Sequence, residues 1–75
     1  MREIRPGDIV MHTQQGFVYK LMAQLPDGRW YCQFLGRGPA KPADKREQEW
    51  LPALVEPERL RRMTEAEREL WERSK

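Results

Sequence analysis

The sequence predicts a mainly β domain in which four to five short antiparallel strands precede a C-terminal α-helix. Three observations lead to this class: turn signals separate alternating runs between Gly7 and Phe34, a charged segment without apolar periodicity follows, and a helix-capping pattern lies near the C-terminus. With 75 residues the chain is short enough for a single domain. Within it we assign residues 1–56 to the sheet and residues 57–75 to a helical extension packed on the sheet.

The first two strands are predicted from residue type and from glycine-containing breaks. Residues 8–12 form a first strand after the Pro6-Gly7 break, and residues 13–16 turn the chain. Residues 17–24 are rich in aromatic and branched side chains, and the run is too short to favour a helix. These residues therefore form a second strand.

The strongest turn signal joins the second strand to a third. In Leu25-Pro26-Asp27-Gly28 the proline presets φ at the first corner and the glycine permits positive φ, which predicts a tight hairpin. Residues 29–35 then alternate, so one face of the third strand carries Trp30, Cys32 and Phe34. We expect these three side chains in the core.

The segment after the third strand is predicted to be less regular. Residues 36–46 contain glycines, prolines and charges and are expected to form an exposed loop. Residues 47–51 could form a fourth strand carrying Trp50, which Pro52 would end, and Leu54 and Val55 then return to the core.

The C-terminal segment is predicted to be helical. Pro57 suits the first position of a helical turn that runs through Arg62. Thr64-Glu65-Ala66-Glu67 is a capping box, which predicts a helix over residues 64–74. The side chains expected to dock this helix on the sheet are Leu60, Met63, Leu70 and Trp71.

Composition narrows the class of protein. One cysteine, Cys32, excludes an intramolecular disulfide and fits a reducing cytoplasm, and no apolar run approaches the length of a membrane span. The net charge of +2 is uneven, since residues 1–46 carry eight basic and four acidic side chains whereas residues 47–75 carry six and eight. This asymmetry permits an anionic partner on the first part of the chain.

Short antiparallel strands around so small a core favour an SH3-like barrel with a C-terminal helix. The opening Arg5-Pro6-Gly7-Asp8-Ile9-Val10-Met11-His12, followed by Gly16-Phe17-Val18-Tyr19, resembles the start of Tudor-like, KOW-type and CarD-type small barrels. The resemblance covers residues 5–35. CarD-type barrels dock on RNA polymerase and KOW-type barrels bind RNA or ribosomal partners, so the resemblance implies a protein or nucleic-acid partner.

Two groups of residues are candidates for partner binding. Phe17, Tyr19 and Tyr31 could share the outer surface, where Tudor-like barrels build aromatic cages, or could instead complete the core or a dimer seam. The basic residues Arg37, Lys41, Lys45 and Arg46 could contact phosphates, or could be the charges of a solvated loop.

The residue inventory does not favour catalysis. His12, Cys32 and Ser74 are each the single residue of their type, so no nucleophile, base and orienting group can be assembled from the usual members, and two soft ligands fall short of a zinc site. We therefore expect no enzyme activity, cofactor or metal. Three functions stay open: a protein-interaction module, with regulation of transcription as its narrower form; nucleic-acid binding through residues 37–46; and a small enzyme built as a homo-oligomer.

Overall fold

Six antiparallel strands in one sheet and a short C-terminal helix make up the computed structural model, which describes residues 4–48 and 53–74. The strands are β1 Ile9–His12, β2 Val18–Gln24, β3 Trp30–Gly38, β4 Lys41–Pro42, β5 Ala53–Val55 and β6 Leu60–Arg62. The helices are α1 Lys45–Gln48, a 3₁₀ turn at Pro57–Arg59, and α2 Glu65–Ser74. The mainly β class with a C-terminal helix is confirmed, although the described ranges hold six strands rather than four to five.

The two turns that the sequence identified connect β1 to β2 and β2 to β3. Gly16 has a φ of +73° and Gly28 a φ of +96°, values that favour glycine. In the second turn the Gly28 N–H donates to the Leu25 carbonyl at 2.9 Å, and Asp27 accepts from the Arg29 N–H at 3.0 Å. The turn chemistry therefore sets the register of the β2–β3 hairpin.

Strand β3 organises the sheet because it pairs with three other strands. One edge pairs with β2, while the opposite edge pairs with β5 near Trp30 and with β4 near Gly36. At the far side of the sheet β6 pairs with β1, opposite the β1–β2 pairing. The strand order is β4-β3-β2-β1-β6, with β5 beside β3.

Alternation along the strands divides the apolar side chains between the two faces of the sheet. The inner face carries the larger cluster, whose buried members are Val10, Tyr19, Leu21, Trp30, Cys32, Phe34, Ala43, Val55 and Leu60. The outer face carries a second cluster in which Met63 and Trp71 pack with Met11 and Val18. The prediction that Trp30, Cys32 and Phe34 share a buried face is confirmed.

Helix α2 begins with the predicted capping box. The Glu67 N–H donates to Thr64 Oγ1 at 3.2 Å, and the Thr64 N–H donates to Glu67 Oε1 at 2.9 Å. Trp71 and Met63 dock the helix as expected, but Leu70 is exposed and Leu60 belongs to the inner cluster. Two of the four predicted docking residues therefore do not dock α2.

Three segments differ from the sequence prediction. Residues 36–46 are not a loop, since Gly36–Gly38 continue β3 and are followed by β4 and by the start of α1. Glu47 and Gln48 lie in α1 rather than in a strand, and the rest of the predicted strand, including Trp50, falls outside the described residues. The helical turn after Pro57 ends at Arg59, because residues 60–62 pair with β1 as a strand.

Candidate functional site

Two of the three aromatic residues considered for an exposed cage lie in the core instead. Tyr19 is 6% exposed and packs edge-on against Phe17 and Phe34, with ring centroids 6.4 Å and 6.1 Å away. Burial raises the pKa of the Tyr19 hydroxyl, so this group stays protonated. Tyr31 lies on the opposite face of the sheet, so the three rings do not share one outer surface, and Phe17 and Tyr19 instead complete the core, the alternative that the sequence left open.

An apolar surface on the outer face of the sheet contains Tyr31. Tyr31 is 41% exposed and pairs across strands with Ala23 of β2 and with Leu54 of β5, which is 50% exposed. Met22 is exposed beside them, at an irregularity in the β2–β3 register. We call these four residues, Met22, Ala23, Tyr31 and Leu54, the outer patch.

The outer patch lies on the same face of the sheet that α2 covers further along the strands. Along β3 the side chain of Leu35 packs with the α2 cluster, whereas Tyr31 on the same face has no helix over it among the described elements. Exposed Lys20 pairs across strands with Gln33 between these two regions. One part of the outer face is thus packed by α2, and the part around Tyr31 is exposed.

Of the four residues in the outer patch, only Tyr31 is among the candidates that the sequence predicts. Leu54 was expected in the core, but it is Val55, its neighbour, that is buried opposite Trp30. The exposure of Met22 is not predictable from the sequence, because the register irregularity that accompanies it has no sequence signal. The alternation of Ala53-Leu54-Val55 was a signal that one of the two large residues faces out.

The four basic candidate residues are distributed over three elements. Arg37 on β3 forms an ion pair with Glu47 of α1, with Nη2 and Oε2 2.8 Å apart. Lys41 on β4 and Lys45 and Arg46 at the start of α1 are exposed, and none of the three has an ion-pair partner within the described ranges. The structure therefore brings these cations to one end of β3 but compensates the charge of Arg37.

His12 is the polar side chain that the described core contains, at 7% exposure. Its Nδ1 accepts hydrogen bonds from the backbone N–H groups of Gln14 and Gln15, at 3.2 Å and 3.1 Å. Because Nδ1 is the acceptor, the proton of the neutral ring lies on Nε2, which is a donor. His12 thus holds the β1–β2 turn and keeps one donor for another group.

A cavity of about 260 Å³ lies beside His12, and its lining includes Tyr19, Arg59 and residues 53–56. Neither His12 Nε2 nor Tyr19 Oη has a hydrogen-bond partner among the described residues, and neither is a fully buried orphan atom. Both atoms therefore retain some contact with solvent. We call this cavity the His12 pocket.

A second cavity, of about 300 Å³, lies where α2 meets β1 and β6. Its charged lining residues are Asp8, Arg62, Arg68 and Glu72. Arg62 Nη2 is 3.9 Å from Asp8 Oδ2. The two carboxylates balance the two guanidinium groups, so this seam selects neither anions nor cations by its charge.

Two observations concern the metal-binding and nucleophilic side chains in the part of the chain that the structure describes. No cluster of three or more His, Cys, Asp or Glu side chains occurs there. Cys32 is buried, and burial raises the pKa of its thiol to about 11. Such a thiol stays protonated at neutral pH and is a poor nucleophile.

Comparison with known protein families, with characterised proteins and with solved structures finds no match for this chain. The resemblance of residues 5–35 to Tudor-like, KOW-type and CarD-type barrels therefore stays a prediction. Within residues 4–48 and 53–74, no helix is long and apolar enough to cross a membrane.

Proposed function

We propose that the protein is a non-enzymatic interaction module that binds a protein partner through the outer patch. The observation that carries this proposal is the cross-strand row of Ala23, Tyr31 and Leu54, three adjacent exposed residues on three strands. Exposed aromatic and aliphatic side chains grouped on a rigid sheet are typical of binding surfaces.

The neighbourhood of the outer patch indicates the chemistry of the partner. The same face of the sheet already buries Met63 and Trp71, so it is suited to apolar and aromatic side chains. Lys20 borders the patch and has no ion-pair partner among the described residues. A partner with an apolar centre and an acidic residue opposite Lys20 would complement both features.

A partner in transcription is the narrower form of this proposal. It is supported by the resemblance of the opening strand and turn, through His12 and Gly16, to CarD-type barrels, which dock on RNA polymerase. The outer patch supports protein binding in general and does not indicate the cellular process in which the partner acts.

Capture from native lysate with matched variants tests the proposal. The tagged wild-type chain, a Tyr31→Ser/Leu54→Ser double variant and a Leu70→Ser control are incubated with lysate, and the retained proteins are quantified by mass spectrometry. Leu70 is a suitable control because it is similarly exposed, at 41%, but lies on α2. We expect a protein that is retained by wild type and by the control but not by the double variant.

Direct binding of that protein, purified, gives the decisive measurement. Loss of a central aromatic anchor costs about 2 kcal/mol or more, so we expect at least a roughly thirtyfold weaker Kd for the double variant. Retention that is equal for all three chains would contradict the proposal. A homodimer that the double variant abolishes would assign the patch to a second copy of this chain and would also contradict it.

Nucleic-acid binding is a second candidate function, which one observation favours. Lys41, Lys45 and Arg46 are three exposed cations on adjacent short elements without ion-pair partners in the described ranges. Such a group can contact successive phosphates. Its signature would be an affinity that falls with salt and that depends on these three residues.

A further inference from the structure

We propose that the His12 pocket binds a carboxylate group presented by the protein partner. The proposal deepens the interaction function above and rests on it for the source of the carboxylate. Leu54 connects the two sites, since it belongs to the outer patch and also lines the pocket. A partner seated on the patch would therefore lie beside the pocket.

The donors that line the pocket match an anionic oxygen group. His12 is more than nine-tenths buried, and its Nδ1 is occupied by two backbone N–H groups, which leaves Nε2–H as an unpartnered donor. The Tyr19 O–H is a second unpartnered donor in a ring fixed between Phe17 and Phe34. The two rings meet edge-on, with centroids 6.5 Å apart.

Arg59 supplies positive charge at the same pocket. Its Nη1 donates to Gln14 Oε1 at 2.8 Å, which orients the guanidinium, and its Nε is 3.9 Å from Glu56 Oε2. The guanidinium has five N–H donors, so it can donate to a further oxygen atom. Three types of donor thus surround one small cavity.

Charge balance favours a carboxylate over a phosphate. The charged residues that line the pocket are Glu56 and Arg59, so the lining has no net charge. Glu56 repels a phosphate dianion about twice as strongly as a monoanionic carboxylate, and the single guanidinium of Arg59 together with the two neutral donors can balance only the smaller charge. The apolar wall formed by Ala53 and Val55 would contact the carbon atoms that carry the carboxylate.

Titration of the full chain with sodium acetate, followed by ¹H–¹⁵N NMR, tests the pocket without the partner. Acetate should shift the amides of Gln14 and Gln15 and the side-chain signal of Arg59 in a saturable way. Acetamide, which has the same shape but no charge, should not. Sodium phosphate at matched ionic strength should bind more weakly than acetate.

Two tyrosine variants test whether acetate binds in the His12 pocket. Tyr19→Phe removes only the hydroxyl and keeps the ring in the core, and it should weaken acetate binding by about tenfold, the usual effect of losing a hydrogen bond to a charged group. Tyr31→Phe, on the opposite face, should leave acetate binding unchanged. Arg59→Gln should weaken it at least as much as Tyr19→Phe.

Shifts without saturation, tighter binding of phosphate, or equal binding by wild type and Tyr19→Phe would each overturn the carboxylate proposal. None of these results bears on the capture experiment with the Tyr31→Ser/Leu54→Ser variant. Conversely, a Tyr31→Ser single variant, which keeps the pocket-lining Leu54, should lose the outer-patch interaction and leave acetate binding in the pocket intact. The two failures are therefore distinguishable.

Discussion

At the scale of single residues, Gly36 is a point of close packing between β3, β4 and Trp71 of α2. A Cβ atom at this position would lie 2.7 Å from the Lys41 carbonyl oxygen and 3.0 Å from Trp71 Cζ3. The first of these atoms is backbone, so β4 would have to move. We expect Gly36→Ala to lower the free energy of unfolding by about 1–3 kcal/mol, the typical cost of overpacking. Urea unfolding followed by tryptophan fluorescence measures it.

Gly38 provides the matched control for this substitution. It lies two residues further along β3, its φ is not positive, and a Cβ atom there would meet nothing within 4 Å. Gly38→Ala should leave stability unchanged or raise it by up to about 1 kcal/mol, because alanine restricts the unfolded chain. Equal destabilisation by both substitutions would show that close packing at Gly36 is not the cause.

Sequence patterns predict correctly which side chains of β3 face the core, but they do not decide this for the start of β2. The difference has a physical reason. Trp30, Cys32 and Phe34 were predicted correctly because only one face of β3 is rich in large apolar groups near the hairpin. At the start of β2 both faces are buried, since Val18 lies beneath α2 and Tyr19 lies in the inner core. Alternation therefore could not decide whether Tyr19 faces in or out.

At the scale of secondary-structure elements, the N-terminus of α2 is stabilised by one carboxylate. Glu67 accepts two hydrogen bonds of 2.7 Å from Arg61 and one from the Thr64 N–H, and these contacts lower its pKa from 4.5 to about 2. The pKa is depressed in the folded state, so this stabilisation is present above pH 4.5 and is lost as pH falls toward 2.

We expect Glu67→Gln to be less stable than wild type at pH 7 and to lose less stability than wild type between pH 5 and pH 3. The reason is that the neutral amide cannot respond to acid. Urea midpoints at several pH values measure the difference. Glu69→Gln is the control, because Glu69 is 3.8 Å from Arg73 with both side chains largely exposed, and it should keep the wild-type pH profile. A Glu67→Gln profile that parallels wild type would contradict this role.

The capping pattern that predicts α2 also explains α1, which lies in a segment that composition predicts to be a loop. Asp44-Lys45-Arg46-Glu47 has the spacing of an N-cap and a third-position acid, and Asp44 Oδ1 accepts from the Glu47 N–H at 2.8 Å. Composition alone suggested a loop here. In contrast, the pairing of β6 with β1 joins residues about fifty positions apart, and local pattern carries no information on such a contact.

At the scale of the whole molecule, the distribution of charge sets what nucleic-acid binding would require. The net charge is only +2, so binding of nucleic acid would depend on cations that act together rather than on the total. Lys41, Lys45 and Arg46 are such a group. Three phosphate contacts predict a slope of about −2.7 for the logarithm of affinity against the logarithm of salt concentration on duplex DNA.

Fluorescence anisotropy with labelled RNA and DNA at several salt concentrations measures that slope. Replacing Lys41, Lys45 and Arg46 with alanine should abolish the binding. A matched variant that replaces Lys20, Arg68 and Arg73 lowers the net charge by the same three, from +2 to −1, and should bind as wild type does. If both variants lose binding equally, nucleic acid is attracted by the net charge of the protein. Lys41, Lys45 and Arg46 then do not form a specific binding site. If wild type does not bind at low salt, nucleic-acid binding is excluded and the protein-interaction function stands alone.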